Sequence, residues 1–163
     1  MLMEQNTKIR NEVLLSVSGL SDEQLNEQVE QGSWTIMQVL EHLYLIELSV
    51  THVVSKQLAN GESKIVEEKP IQLTTNRSTK IEAPSFAIPS TNFISLKNLI
   101  EKLSKSRNRL MRVIDSTDKI SLEQRAEHHP AFGEMNLKQW VDFIGLHEKR
   151  HFAQIEELKE KLV

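Results

Sequence analysis

The chain contains no cysteine. Disulfides, thiolate metal ligands and a cysteine nucleophile are therefore excluded, and any soft-metal site has to be built from histidine. Glycine and proline are also scarce, five and four in 163 residues. Long stretches are thus left without a helix breaker. No apolar run approaches the roughly 18 residues that a membrane span requires, and Met1 to Arg10 is polar rather than leader-like. The expectation is a cytoplasmic protein with no membrane partner. Positive charge is not in excess either. A formal net charge of −3 and a pI of about 6.1 argue against the basic face of a duplex-binding protein, so no nucleic-acid partner is expected. With 39% apolar and 26% charged residues, the composition is that of an ordinary globular chain. Its length suffices to bury a core as a single domain over residues 1–163.

What is present is helical periodicity. Residues 4–18 carry Ile9, Val13 and Val17 in phase, with Leu14 and Leu20 nearby. Residues 35–59 repeat Ile36, Val39, Leu40, Leu43, Ile46, Val50, Val53 and Val54. A third stripe over 91–115 runs Leu96, Leu99, Ile100, Leu103, Leu110, Val113 and Ile114. A fourth, over 137–162, runs Leu137, Trp140, Val141, Ile144, Ile155, Leu158 and Leu162. Four amphipathic segments without an alternating period predict an all-α fold, an antiparallel-type four-helix bundle. The joints are uneven. Ser21-Asp22-Glu23-Gln24 can start an extra turn after the first segment. Asn60 to Ser90, with Pro70, Pro84 and Pro89, is too long for a tight hairpin and is expected to cross the bundle end or to fold as an irregular lid. His129-Pro130 and Gly133 force turns before the last segment.

Two helix starts are strongly marked. Thr35-Ile36-Met37-Gln38 reads as a capping box with Trp34 and Val39 as its hydrophobic staple. Asn136-Leu137-Lys138-Gln139 repeats the arrangement with Met135 and Trp140. The same two segments carry the histidines that matter. His147-Glu148-Lys149-Arg150-His151 places two imidazoles four residues apart, one above the other on a helix face, a spacing that suits two ligands of one metal ion. Both fall in phase with Trp140, Ile144, Ile155 and Leu158, where hydrocarbon would otherwise stand. Buried imidazoles need partners, and two readings meet that need: satisfied core histidines, or a metal. His42 lies between Val39 and Ile46 and also borders the core. Together the three imidazoles would make a three-nitrogen site with open positions, as in catalytic rather than structural centres. Gln154, on the same face as His147 and His151, is a candidate to hold one of the rings. His52 is expected at the surface, and His128 and His129 in a turn.

The pentapeptide also spells H-E-x-x-H, the motif of zinc proteases. Only twelve residues follow His151, and their acids, Glu156, Glu157 and Glu160, continue the same helix, so no second element returns a third ligand. Glu148 lies about 100° around the helix from His147. It is expected to face solvent or to pair with Lys149 or Arg150, and the protease reading is set aside. Lys102, Lys105, Arg109 and Arg112 form a basic stripe that reads as a solvated face, since no aromatic residues interleave it.

Gly32-Ser33-Trp34-Thr35-Ile36-Met37-Gln38-Val39-Leu40-Glu41-His42-Leu43 resembles the second-helix signature of the DinB-like superfamily. His129-Pro130-Ala131-Phe132-Gly133-Glu134-Met135-Asn136, followed by Trp140, His147, Arg150, His151 and Gln154, resembles its fourth-helix signature. The resemblance implies a four-helix bundle whose second and fourth helices give three histidines to one divalent metal ion, commonly nickel or zinc. Carried onto this sequence, the ligands are His42, His147 and His151. It further implies a homodimer, and an activity such as the transfer of bacillithiol or mycothiol to an electrophile. Thiol transfer fits a chain without cysteine, because the nucleophile would arrive as a small-molecule thiol substrate. The same site could activate water for hydrolysis, and a non-enzymatic metal-binding or interaction bundle is the third reading.

Overall fold

The computed structural model describes residues 1–162. Among them the long helices are α1 (Glu4–Val17), α3 (Ile36–Asn60), α4 (Leu96–Asp115) and α6 (Leu137–Glu160), with single turns α2 (Asp22–Leu25) and α5 (Lys119–Glu123) between them. The expected four-helix bundle is the fold. Local chemistry sets the helix starts. Ser21 and Thr35 each form a complete capping box, with Gln24 and Gln38 respectively. Ser95, Asp118 and Asn136 each accept a backbone N–H three residues on. Gln139 does not close its box: its side-chain amide instead holds both the N–H and the carbonyl of Lys69, at 2.8 and 2.9 Å.

The elements differ from the expected ones in two places. The third helix begins at Leu96 rather than at residue 91. The backbone before it is tied to the first turns of the chain, Ile94 to Asn26 and Leu96 N–H to Asp22, which fixes an extended entry. The segment before α6 also contains a two-stranded antiparallel hairpin, β1 (Ala126–His129) and β2 (Gly133–Asn136), with Ala126 opposite Asn136 and His129 opposite Gly133. Gly133 has φ of +76°, the left-handed conformation that its lack of Cβ permits and that the turn requires. Strands of four residues are too short to display an alternating period.

The long connection gives the bundle its topology. After Gly61 its Lys64 N–H donates to the Gln124 carbonyl; it then runs along α6 from Gln139 to Arg150 and crosses to the N-terminal end of α3, where Gln38 and Glu41 hold Ser90. It therefore travels the length of the bundle instead of crossing one end. In consequence α4 starts beside the start of α3 and the two run parallel. Contacts of Asn6 with Val141, Arg10 with Glu148 and Ser16 with Glu156 show α1 and α6 parallel as well. The antiparallel-type bundle expected from the sequence is thus two parallel pairs packed against each other. A 3₁₀ turn at Ile71–Thr75 packs on α6, and another at Ser85–Ala87 packs on α3.

The apolar interior falls into two clusters. One gathers Ile46, Val50, Val54, Leu110, Leu122, Trp140, Val141 and Ile144, and the other Val13, Val17, Leu40, Leu43, Leu99, Leu103, Ile155 and Leu158. Between them, on each long helix, the apolar phase is interrupted by polar residues: Arg10 on α1, Glu47 on α3, Ser106 and Arg107 on α4, and His147 and Glu148 on α6. A polar belt divides the core, and the candidate site lies in it.

Candidate metal centre

The complete capping box at Thr35 starts α3, and His42 follows two turns later with 3% of its surface exposed. Its neighbours on α3 secure its outer face. Gln38 donates to the Ser90 carbonyl at 3.1 Å, and Glu41 accepts the Ser90 N–H at 2.6 Å. These two anchors hold the 3₁₀ turn Ser85–Ala87 so that the Ala87 carbonyl meets His42 Nδ1 at 2.7 Å. Trp34 covers the ring, centroid to centroid 5.0 Å.

His147 and His151 rise from one face of α6 with ring centroids 4.5 Å apart. Their Nε2 atoms are 3.1 Å apart, and His42 Nε2 lies 3.2 Å from His147 Nε2. The three rings thus meet nitrogen to nitrogen, with one ligand atom from each within 4.8 Å of the others. On the far side of His151, Nδ1 contacts the side-chain oxygen of Gln154 at 2.7 Å. Phe143 packs on His147 at 5.5 Å.

The hydrogen bonds decide the tautomers. A carbonyl accepts only, so His42 carries its proton on Nδ1, and the Gln154 oxygen fixes the same tautomer at His151. Both Nε2 atoms are then bare lone pairs directed at His147 Nε2, which can donate to one of them at most. Protonating the rings offers no relief. Burial holds His42 below its ordinary value. Burial and His42 push His151 down to about 4. Burial and the neighbouring charges, Arg150 among them, keep His147 well below the imidazole range. Three neutral imidazoles crowding their lone pairs together is the donor set of a divalent ion of intermediate softness. The separations agree with this, since bonds of about 2.0–2.1 Å to a common tetrahedral ion imply nitrogen–nitrogen edges of about 3.3 Å. Among the described residues the buried Nδ1 of His147 has no partner, a cost that a buried polar atom rarely bears.

A family model described as the DinB superfamily matches residues 5–155. The chain belongs to the DinB superfamily. Similar chains include YuaE of Bacillus subtilis strain 168, 37% identical over 153 residues and covering 94% of either chain. A protein of Oceanobacillus iheyensis named "Putative metal-dependent hydrolase" is 29% identical over 143 residues, 88% of this chain and 75% of that one. The fold is shared with the crystal structure of TT2238, described as a four-helix bundle protein, at TM-score 0.66 and 20% identity over 96% of each chain. It is shared also with YfiT from Bacillus subtilis, described as "a probable metal-dependent hydrolase with an unusual four-helix bundle topology". There the TM-score is 0.65 at 16% identity, covering 98% of this chain and 84% of that one.

In this DinB-superfamily chain the remaining histidines stay outside the trio. His52 is exposed, and exposed His128 lies 3.9 Å from a Glu134 oxygen. His129 is buried among Phe132, Trp140 and Phe143, where its Nδ1 accepts the Ala131 N–H at 3.0 Å. The basic stripe Lys102, Lys105, Arg109 and Arg112 is exposed, as expected of a solvated face.

Glu148 departs from expectation. It neither faces solvent nor pairs with Lys149 or Arg150, but is 1% exposed and bound to Arg10. Arg10 Nε donates to Oε1 at 2.7 Å and a second Arg10 nitrogen to Oε2 at 3.0 Å, while Arg107 donates to Oε2 at 3.1 Å. Burial pushes the Glu148 carboxyl up, against the pull of the two guanidiniums. Arg10 and Arg107 also bind Glu47 at 3.3 and 2.7 Å, so two arginines and two carboxylates, one from each long helix, balance their charges. The cause is angular. Glu148 sits about 100° from His147, and that rotation points into the seam with α1. This network escaped the sequence reading, although a signal existed: Arg10, Glu47 and Ser106 fall in phase with apolar stripes, as in Leu43-Glu47-Val50-Val54 and Leu99-Leu103-Ser106-Leu110.

Proposed function

We propose that this chain is a metal-dependent enzyme in which His42, His147 and His151 hold one divalent ion, nickel or zinc, and which transfers a small-molecule thiol of the bacillithiol type to an electrophile. The observation carrying the reading is the convergence of bare Nε2 atoms at 3.1 and 3.2 Å. A divalent ion there would act as a Lewis acid, lowering the pKa of a thiol or water that enters an open position.

The surrounding residues favour the thiol. Among the described residues the cluster holds three histidines and no carboxylate, and the adjacent acid, Glu148, is committed to Arg10 and Arg107. A thiol, with an ordinary pKa of about 8.5, needs little help to ionise. Water starts from about 15.7 and gains more from a general base, which these residues do not supply. No cysteine competes as nucleophile. In the reaction a sulfur–carbon bond forms, the electrophile's leaving group departs with its electron pair, and the thiol proton passes to solvent. Hydrolysis is the second reading, favoured by the names that the Oceanobacillus relative and YfiT carry.

The metal and the reaction are tested separately. Elemental analysis of the purified protein is expected to find about one divalent ion per chain. Full retention in the His147→Ala/His151→Ala variant would sink the centre. Zinc- or nickel-loaded protein supplied with bacillithiol and a haloalkyl fluorophore is expected to form the conjugate with turnover, and the double variant to lose it. Ester cleavage without thiol would transfer the assignment to the hydrolase. A loaded protein that does neither leaves a metal-binding bundle without catalysis.

A further inference from the structure

Among the described residues, two buried side-chain polar atoms lack a hydrogen-bond partner: Thr74 Oγ1 and His147 Nδ1. Their elements pack against each other, the 3₁₀ turn Ile71–Thr75 lying on α6. We infer that Thr74 is the outer partner of His147, one buried water bridging its hydroxyl and the Nδ1–H. The inference rests on the three-histidine metal centre proposed above and adds to it a positioning residue from outside the two ligand-bearing helices.

Placement supports it first. Residues three apart on a 3₁₀ helix eclipse one another, so Ile71 and Thr74 share a face, and both are buried, at 4% and 9% exposure. That face is pressed onto α6 from both ends. Gln139 grips the backbone of Lys69, and Arg150 donates to the carbonyl of Thr74 at 3.2 Å. Arg150 donates further to the carbonyls of Asn76 and Thr79, so the stretch after Thr74 is fastened too. Since Arg150 is three residues from His147, the two are neighbours on the helix surface. Thr74 therefore lies over the turn of α6 that presents His147.

Chemical completeness supports it second. A metal-binding imidazole almost always donates its other N–H to an acceptor, which fixes its tautomer and orientation. His42 has the Ala87 carbonyl and His151 has the Gln154 oxygen. His147, the ring whose Nε2 lies within 3.2 Å of both others, is the member without one. For its Nε2 to offer a lone pair, as the others do, its proton must reside on Nδ1, where it needs an acceptor. A water bridging it to the threonine hydroxyl supplies one. That arrangement satisfies both orphaned atoms at once.

The test is zinc affinity, measured by competition with a chromophoric chelator. Thr74→Val keeps the branched shape and removes the acceptor. It is expected to weaken zinc binding about 10–100-fold while the far-UV circular dichroism stays that of the wild type. Thr74→Ser, which keeps the hydroxyl, is expected to restore affinity. Unchanged affinity in Thr74→Val overturns the inference and leaves the metal centre standing. So does equal weakening in Thr74→Val and Thr74→Ser, which would assign Thr74 to packing alone. A wild type that binds no zinc overturns centre and partner together. Should Thr74→Val fail to fold, nitrogen-15 spectra of the zinc-loaded wild type decide. An exchange-protected Nδ1–H on His147 is expected, and its absence rejects the assignment.

Discussion

Glu148 and His147 adjoin in the chain and serve different parts of the molecule, one the ionic network and the other the imidazole cluster. Glu148→Ala leaves the buried Arg10 and the half-buried Arg107 facing Glu47 alone. Removing one partner of a buried charge network is expected to cost about 3–5 kcal/mol, read as a lower midpoint in urea unfolding. Were Glu148 instead a general base, Glu148→Gln would abolish turnover and leave that midpoint in place, which is the outcome that rejects the structural role. A second residue-scale prediction concerns pH. Burial and the charge of His128 push His129 down to about 4, and His151 is held at about 4 by burial and His42. An imidazole with a depressed folded value binds fewer protons folded than unfolded in the interval, so stability falls as pH falls through it. Metal-free protein is expected to be most stable above the unfolded histidine value of about 6.5 and to lose stability progressively toward pH 4. Thermal melts across that range check the slope, and His129→Phe should flatten part of it. A melting temperature indifferent to pH in this window would contradict the buried neutral imidazoles.

At the scale of elements, Gly145 on α6 faces Asn6 on α1. A Cβ at position 145 would clash with Asn6 Oδ1, and Asn6 is buried and donates to the Val141 carbonyl at 2.9 Å. Alanine gains roughly 1 kcal/mol in helix propensity over glycine, but displacing a buried amide costs about 1–3 kcal/mol. Gly145→Ala is therefore expected to destabilise by about 1 kcal/mol, and Asn6→Ala in the same chain to relieve much of the clash. Chemical denaturation of the single and double variants measures both. The elements legible in the sequence were those with long periods and strong caps: α3 and α6 begin where Thr35 and Asn136 said they would. The trio was legible for the same reason, since His42, His147 and His151 each occupy an apolar phase. Less was visible where structure depends on distant backbone. The Ala87 carbonyl on His42 and the delayed start of α4 are set by contacts 45 and 68 residues away in the chain. The hairpin strands are too brief to show a period. Glu148 was misjudged because angular position was known but the neighbour filling that angle was not.

For the whole molecule, the polar belt makes metal binding a stability event as well as a chemical one. An ion bound by the folded state alone adds about 2.7 kcal/mol at a free concentration 100 times its Kd. For a chain of this length that is a rise of roughly 5–10 °C in melting temperature. Chelator is expected to remove that increment and leave the helical signal intact, because neither apolar cluster includes a member of the imidazole trio. Loss of helical signal on chelation would mean that the ion, not the core, holds the bundle. The contact between His42 and the Ala87 carbonyl has a different reach. Every amino acid carries that carbonyl, so the proton on His42 is assigned by a group that no side-chain substitution at position 87 can delete. What must persist is the path of the connection, pinned at Ser90 by Gln38 and Glu41. Phe86 and Ile88 on either side are more than half exposed. They can be exchanged for residues of other size or charge to re-tailor the rim of the site, while the chemistry of the ligand beneath them stays as it is.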